Sequence, residues 1–199
     1  MERPATPTDR LETFSDGVFA VAITLLVLGL KVHAPAGQLT AKLAAAWPYY
    51  ATYAVSFLTI GIIWMNHHAQ FDRIERADRT LMLLNLLLLL CVTVIPFPTG
   101  LLAGHFSAPS DQHIAAAVYA GTLLAMSLAF FSTYIWATRA KLFRESIAAR
   151  HTGYLLRRNG AGMLGYVAAL AVAFVSAPVS LALCGAVAVY YIHPGRRLD

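Results

Sequence analysis

The stretch RLETFSDGVFAVAITLLVLGLKV, residues 10–32, joins a polar cluster to an apolar run that is long enough to enter a membrane. The cluster consists of Arg10, Glu12, Thr13, Ser15 and Asp16. A carboxylate next to hydrocarbon is costly and normally faces protein or water rather than lipid. We therefore expect the helix that begins here to place its polar end against other parts of the protein.

The composition of the whole chain is that of a membrane protein with little mass outside the membrane. Of its 199 residues, 58% are hydrophobic and 13% are charged, whereas about a quarter of the residues of a soluble domain are charged. The net charge of +5 is expected from cytoplasmic loops and does not indicate nucleic acid as a partner. Cys91 and Cys184 both lie in apolar runs, so we expect no disulfide framework.

Six hydrophobic segments divide the chain. They lie at about residues 14–31, 47–66, 80–102, 113–138, 159–176 and 178–193. A helix needs ~20 residues to cross the ~30 Å hydrocarbon core of a bilayer. The last two segments are short by that measure, and a re-entrant hairpin is the alternative to two spans. We interpret all six as spans, so the predicted fold is an all-α integral membrane protein with a single six-helix domain, residues 1–199.

The basic residues predict the orientation of these spans. The N-terminal end, the loops after the second and fourth segments, and the C-terminus hold 13 of the 15 Lys and Arg residues. They are Arg3, Arg10, Arg73, Arg76, Arg79, Arg139, Lys141, Arg144, Arg150, Arg157, Arg158, Arg196 and Arg197. The positive-inside rule places such residues in the cytoplasm. Both termini are therefore expected to be cytoplasmic, which agrees with an even number of spans.

Prolines mark several helix boundaries. Pro7, Pro48 and Pro178 each suit the first turn of a helix, where the missing N–H has no intrahelical partner to lose. The first helix should therefore begin near Pro7, before the apolar run. Pro96 and Pro98 lie inside the third segment and should kink or end its helix near the outer side of the membrane.

A helical stripe runs along the first segment through Asp16, Ala20, Ile23, Val27 and Leu30, which are three or four residues apart. An acid at the cytoplasmic mouth followed by aliphatic side chains in line could form the wall of an ion path. The same pattern is equally typical of a helix-packing face with a solvated end. Periodicity alone leaves both interpretations open.

A second polar group lies in WMNHHAQFDRIERADR, residues 64–79. His67, His68 and Asp72 have spacings found among metal ligands, but adjacent histidines do not share a helix face and no third strong ligand is evident. We therefore expect no metal and no other cofactor. Trp64 is interpreted as an aromatic residue at the membrane interface.

Asn85 is a lone amide in an apolar segment and should form a hydrogen bond with a neighbouring helix. If the first three helices pack together, Arg10, Ser15 and Asp16 can meet His67 and Asn85 near one level. Such a buried polar network would hold the three helices in register.

Two other functional classes remain alternatives to a channel. A secondary transporter or proton-permeable protein would need ionisable groups near the middle of the membrane, and Asp16 is the only acid or base placed against an apolar run. A membrane enzyme would have to use His67, His68 and Asp72, and no nucleophile stands near them. We therefore predict that the protein is not an enzyme.

Three stretches resemble the transmembrane protein 175 family of potassium channels in its bacterial form. They are RLETFSDGVFAVAITLLVL at residues 10–28, SFLTIGIIWMNHH at 56–68 and LLNLLLLLCVTVIPFPTGLL at 83–102. The hallmark of the family is an Arg followed by Phe-Ser-Asp, matched here by Arg10 and Phe14-Ser15-Asp16. The resemblance covers the first half of the chain by motif, and the second half by hydropathy and helix count.

The resemblance implies a homotetramer in the plasma membrane of a bacterium, with helix one of each subunit lining a central potassium pore. It implies passive permeation without a carbonyl selectivity filter, and the sequence contains no TVGYG-like loop. Ile23 would form the narrowest hydrophobic layer, a ring able to gate by dewetting. Val27 and Leu30 would form further layers, and Thr24 beside them is a possible contributor to selectivity. Arg10, Ser15, Asp16, His67 and Asn85 would form the cytoplasmic-side network.

Overall fold

The structure, a computed structural model, describes residues 7–192, with side chains described for residues 8–144 and 158–192. Arg3, Arg196 and Arg197 lie outside the described residues. The helices are α1 (Pro7–Leu25), α2 (Leu39–Ala45), α3 (Trp47–Phe71), α4 (Arg79–Val94), α5 (Pro96–His105), α6 (Gln112–Arg139), α7 (Glu145–Ala173) and α8 (Ala177–Ile192). The described chain contains no β-strand, so the predicted all-α class is confirmed.

Proline sets three of these boundaries as the sequence predicts. α3 has Pro48 in its first turn, and Pro178 is the second residue of α8. The third apolar segment is broken at Ile95, between α4 and α5, with Pro96 beginning the second half. Proline lacks a backbone N–H and clashes with the preceding turn, so the helix cannot continue through it undisturbed.

The end of α1 differs from the expected α-helix. The helix stops at Leu25, a 3-10 turn follows at Leu26–Gly29, and Leu30 is extended with φ −77° and ψ 90°. Val27 and Leu30 therefore do not continue the α-helical stripe that contains Ile23. Glycine is a poor helix former, and a tighter 3-10 turn is common at a helix C-terminus.

Two connections also differ from the sequence-based interpretation. α7 begins at Glu145, so Arg150, Arg157 and Arg158 lie in a helix and their assignment to a loop is wrong. The part of a helix that lies outside the lipid can be charged, because only the part inside the membrane needs to be apolar. The connection after α1 contains α2, a short helix with no buried residue that hydrophobic periodicity did not reveal.

Three helical stretches of the described chain are long and apolar enough to cross a membrane: Thr8–Gly29, Arg79–His105 and Gln112–Arg139. α8 is a shorter apolar helix. α3 is long but carries polar side chains along its buried face, among them Thr52, Ser56 and His67. Six spans remain a prediction.

The core lies where α6 meets α4, α5, α7 and α8, and α1 packs on α3, α4 and α5. The two basic connections meet at one end of the bundle. The backbone N–H of Glu75 donates to the carbonyl of Leu142 at 2.8 Å, and that of Arg144 donates to the carbonyl of Arg73 at 3.0 Å. The positively charged residues of both connections therefore lie at the same end of the molecule.

Candidate functional site: the N-terminal end and outer face of α1

A buried hydrogen-bonded chain joins three helices. The Asn85 amide on α4 donates to the Ser15 hydroxyl on α1 at 2.9 Å, and Nε2 of His67 on α3 donates to the Asn85 carbonyl at 2.8 Å. The Ser15 hydroxyl in turn donates to the carbonyl of Leu11 at 2.8 Å. Ser15, His67 and Asn85 are all buried. Because each of these polar groups has a partner, the hydrogen-bonded chain holds the three helices in one register and leaves none of its own buried groups unsatisfied.

The helix faces that meet at this chain are otherwise apolar. Ser15 lies on the inner face of α1 with Phe19, Ala22 and Leu26, which are also buried and spaced as one helical face. The His67 ring stacks on Phe71 with ring centroids 4.3 Å apart and packs against Phe19 at 5.4 Å. Aromatic contacts and a hydrogen bond therefore fix the imidazole in one orientation.

Asp16 and Arg10 do not join this chain in the described part of the protein. Asp16 is exposed, and its carboxylate accepts a 2.8 Å hydrogen bond from the indole N–H of Trp64 on α3. Arg10 is exposed about 1.7 turns earlier on α1. Trp64 is the residue that sequence reasoning missed as a partner for α1. In the sequence, Trp64 shows only an indole N–H donor near the end of a helix. No local pattern links it to Asp16, because 48 positions separate the two residues.

The face of α1 opposite Ser15 is exposed in the described part of the protein. Thr24 lies about 180° from Ser15 by the 100° helical step. Gly17, Ala20 and Thr24 are exposed, and the Thr24 hydroxyl is satisfied by the carbonyl of Val21 at 2.8 Å. The centre of this outer face is therefore small and weakly polar.

The proposed pore residues occupy different parts of this face. Val27 is 51% exposed, whereas Leu30 is half-buried. Ile23 is half-buried and packs against the hydrophobic core of its own chain. Thr24 is thus nearer the centre of the outer face than Ile23, which lies on its edge.

α1 is also the least enclosed of the three long apolar stretches. Only 22% of the apolar 18-residue stretch within Thr8–Gly29 is buried inside the chain, compared with 33% for the stretch within Arg79–His105 and 50% for that within Gln112–Arg139. The exposed remainder includes the Asp16 carboxylate, which is unsuited to lipid. α1 therefore needs water or another protein surface on its outer side.

The amino-acid sequence is similar to those of known ion channels. The sequence profile of the endosomal/lysosomal potassium channel TMEM175 matches residues 10–96, which include the whole hydrogen-bonded chain. A potassium channel of Streptomyces collinus is 47% identical over 92% of this chain and 90% of that protein. The endosomal/lysosomal proton channel TMEM175 of Gallus gallus is 32% identical over 70% of this chain but only 29% of its own length.

A solved structure has the same fold. The crystal structure of a homologue of the lysosomal potassium-selective channel TMEM175, from Chamaesiphon minutus, matches with a TM-score of 0.84 and 36% identity. The match covers 93% of this chain and 96% of that one. Fold, sequence profile and full-length identity agree, and the chain belongs to the TMEM175 family of potassium channels.

Proposed function

We propose that this protein is a potassium-selective channel that conducts passively through a central pore lined by α1 of four identical subunits. The observation that carries the proposal is the outer face of α1. Its centre, Gly17, Ala20 and Thr24, is exposed in the described chain, and the Asp16 carboxylate at its margin is exposed as well, although it is bonded to the Trp64 indole. A full-length relative named as a potassium channel supports the choice of ion.

The chemistry of this outer face favours a pore over contact with lipid. Asp16 would be costly against acyl chains, whereas water at the mouth of a pore keeps it solvated. Gly17 and Ala20 are small, and small residues let membrane helices approach one another closely. A ring of four α1 helices would satisfy both requirements at once.

The proposed constriction is hydrophobic. Ile23 would form its narrowest layer, with Val27 and Leu30 as further layers toward the outer side and Thr24 supplying a hydroxyl beside them. Such a ring offers no carbonyl ligands, so an ion must give up part of its water to pass. Potassium holds its hydration shell less tightly than sodium, and we propose that this difference contributes to selectivity.

We place the channel in the plasma membrane of a bacterium with both termini in the cytoplasm. The adjacent basic connections after α3 and α6 support one cytoplasmic end, and the Streptomyces and Chamaesiphon relatives support a bacterial source. The lipid bilayer, potassium ions and three further copies of the chain are its partners. We propose that conduction requires no cofactor and that the protein is not an enzyme.

Proton permeation is the second candidate function. The vertebrate relatives are named proton channels, and a hydrophobic ring that excludes bulk water can still pass protons along transient water chains. A secondary transporter is the weaker alternative, because it requires ionisable groups deep in the membrane, and no Lys, Arg, Asp or Glu lies between Gly17 and Leu30.

Reconstitution separates these candidates. Liposomes loaded with potassium and diluted into sodium buffer should develop a negative interior potential when they contain the protein, without any added solute. A pH-sensitive dye inside the same vesicles reports protons separately. Potassium flux that requires a second solute would identify a transporter, and proton flux without potassium-driven potential would identify a proton channel.

A further inference from the structure

A second polar cluster lies on the exposed side of the same helix ends. Glu12 on α1, His68 on α3 and Asp72 directly after the end of α3 place one ligand atom each within 4.8 Å of one another. The side chains of His68 and Asp72 are 55% and 61% exposed, so solvent ions can reach them. His67 points into the buried chain instead, which separates the two adjacent histidines into different environments.

The three side chains come from α1 and from the C-terminal end of α3. His68 lies in the last turn of α3 and Asp72 caps the helix four residues later, and their Nε2 and Oδ2 atoms are 3.7 Å apart. The His68 ring stacks on Trp64, with ring centroids 6.4 Å apart, and Trp64 is held by its hydrogen bond to Asp16. Trp64 therefore packs beside one face of the imidazole and leaves the rest of the ring open to solvent.

The ligand chemistry is that of a transition-metal site. One imidazole nitrogen and two carboxylate oxygens match the donor sets that bind Zn²⁺, with water completing the coordination. Donor atoms on one tetrahedral Zn²⁺ lie about 3.4 Å apart. The present atoms, which lie within 4.8 Å of one another, need to close by at most about 1.4 Å, and rotation of exposed side chains can supply this. Three carboxylates, Asp72, Asp9 and Asp16, act on Glu12 in the described chain and favour a bound cation, whereas His68 favours one only in its neutral form.

We propose that Glu12, His68 and Asp72 form a binding site for a divalent transition-metal ion that ties the cytoplasmic end of α1 to α3. The site is independent of the pore function proposed above. An ion bound here would add a third connection between the two helices, beside the Asp16–Trp64 bond and the buried Ser15–Asn85–His67 chain. It would stabilise the folded protein, because the unfolded chain does not bring Glu12 to α3.

The test is a calorimetric titration of the purified full-length protein in detergent with Zn²⁺ alone, after removal of any affinity tag. We expect one ion per chain and a rise in melting temperature with Zn²⁺. Glu12→Gln and Asp72→Asn should each weaken binding at least about tenfold, since even outer-shell changes at metal sites cost 10–100-fold. Both variants conserve size and both residues lie outside the core.

Matched controls are Asp9→Asn, which removes a nearby carboxylate outside the cluster, and His33→Ala, which removes an exposed histidine elsewhere. His33→Ala should retain wild-type affinity, and Asp9→Asn should weaken binding much less than Glu12→Gln, because Asp9 acts only through its charge. Absence of stoichiometric binding to the wild-type protein would overturn the proposal, and so would equal loss in Asp9→Asn and Glu12→Gln. The proposal is equally overturned if Zn²⁺ binds but raises the melting temperature of wild type and Glu12→Gln alike.

Discussion

Asn85 is one amide in the leucine-rich α4, and it satisfies two buried groups at once. Its carbonyl accepts from His67 and its amino group donates to Ser15. Hydrogen bonds between membrane helices average only ~0.6 kcal/mol when the partners can find substitutes. His67 has no such freedom, because its ring is held between Phe19 and Phe71.

Asn85→Leu should therefore destabilise the protein by about 1–3 kcal/mol, the cost of leaving a buried polar group unsatisfied. Ser15 keeps its bond to Leu11, so His67 carries most of the loss. Reversible unfolding in mixed detergent micelles measures the change. Leu86→Ala on the exposed side of α4 is the control. A loss of stability no greater than that of the control would show that the buried hydrogen bonds of Asn85 contribute little.

Substitutions at Ile23 and Leu26 distinguish a pore-lining role from a helix-packing role. Ile23→Asn places an amide at the edge of the outer face, so it should wet the proposed constriction, raise resting flux severalfold and weaken discrimination between potassium and sodium. Leu26 is 2% exposed, so Leu26→Asn should cost more than about 2 kcal/mol of folding stability without opening the pore.

Liposome flux at equal protein incorporation measures the effects of Ile23→Asn, and thermal unfolding measures those of Leu26→Asn. Unchanged flux and selectivity in Ile23→Asn would remove Ile23 from the ion path.

Thr24 is the polar residue closest to the centre of the outer face. Thr24→Val keeps the shape and removes the hydroxyl, so it should reduce potassium selectivity while leaving stability within about 0.5 kcal/mol, as is usual for surface changes. Thr122→Val is the matched control, because Thr122 is also helical with its hydroxyl bonded one turn back. Equal permeability ratios in both variants would assign no role to the Thr24 hydroxyl.

At the scale of elements, α1 is anchored to α3 at two levels. The inner level is the buried chain through Ser15, and the outer level is the indole of Trp64 on the carboxylate of Asp16. The two contacts lie on adjacent positions of α1, so together they restrict rotation of the helix about its own axis. Rotation matters because it sets which side chains α1 presents outward.

Trp64→Phe tests the outer level. The ring is retained while the indole N–H is lost, so we expect a loss of roughly 1 kcal/mol, reduced from the usual value for a charged acceptor by solvent exposure. Arg10→Ala should change stability by less, since Arg10 is exposed and makes no hydrogen bond in the described chain. Thermal unfolding in detergent measures both, and a larger loss for Arg10→Ala would reverse the assignment.

At the scale of the whole molecule, the basic connections after α3 and α6 meet at one end of the bundle. The outer face of α1 extends from that end toward the other. Residue 107, after α5, and residue 148, in α7, should lie on opposite sides of the membrane if six spans are present. Cysteine placed at Ser107 should be labelled from outside, and cysteine at Ala148 only from inside, in a background lacking Cys91 and Cys184. Labelling of both positions from one side would contradict six spans.

Local features were readable from the sequence alone. The all-α class and the breaks at Pro48, Pro96 and Pro178 follow from composition and from backbone chemistry that acts within a few residues. The need of Asn85 for a partner follows from its apolar surroundings. The Arg10 and Phe14-Ser15-Asp16 motif was sufficient to indicate the family.

Only the tertiary structure decided which residues meet. Ser15 and Asn85 are 70 positions apart, and Asp16 and Trp64 are 48 apart, so no periodicity links them. The sequence could not show that Glu12 completes a cluster with His68 and Asp72, or that Ile23 lies half against its own core. Those facts depend on how α1 is rotated against α3 and α4, and that rotation is set by packing of the Phe19 face, which local rules do not contain.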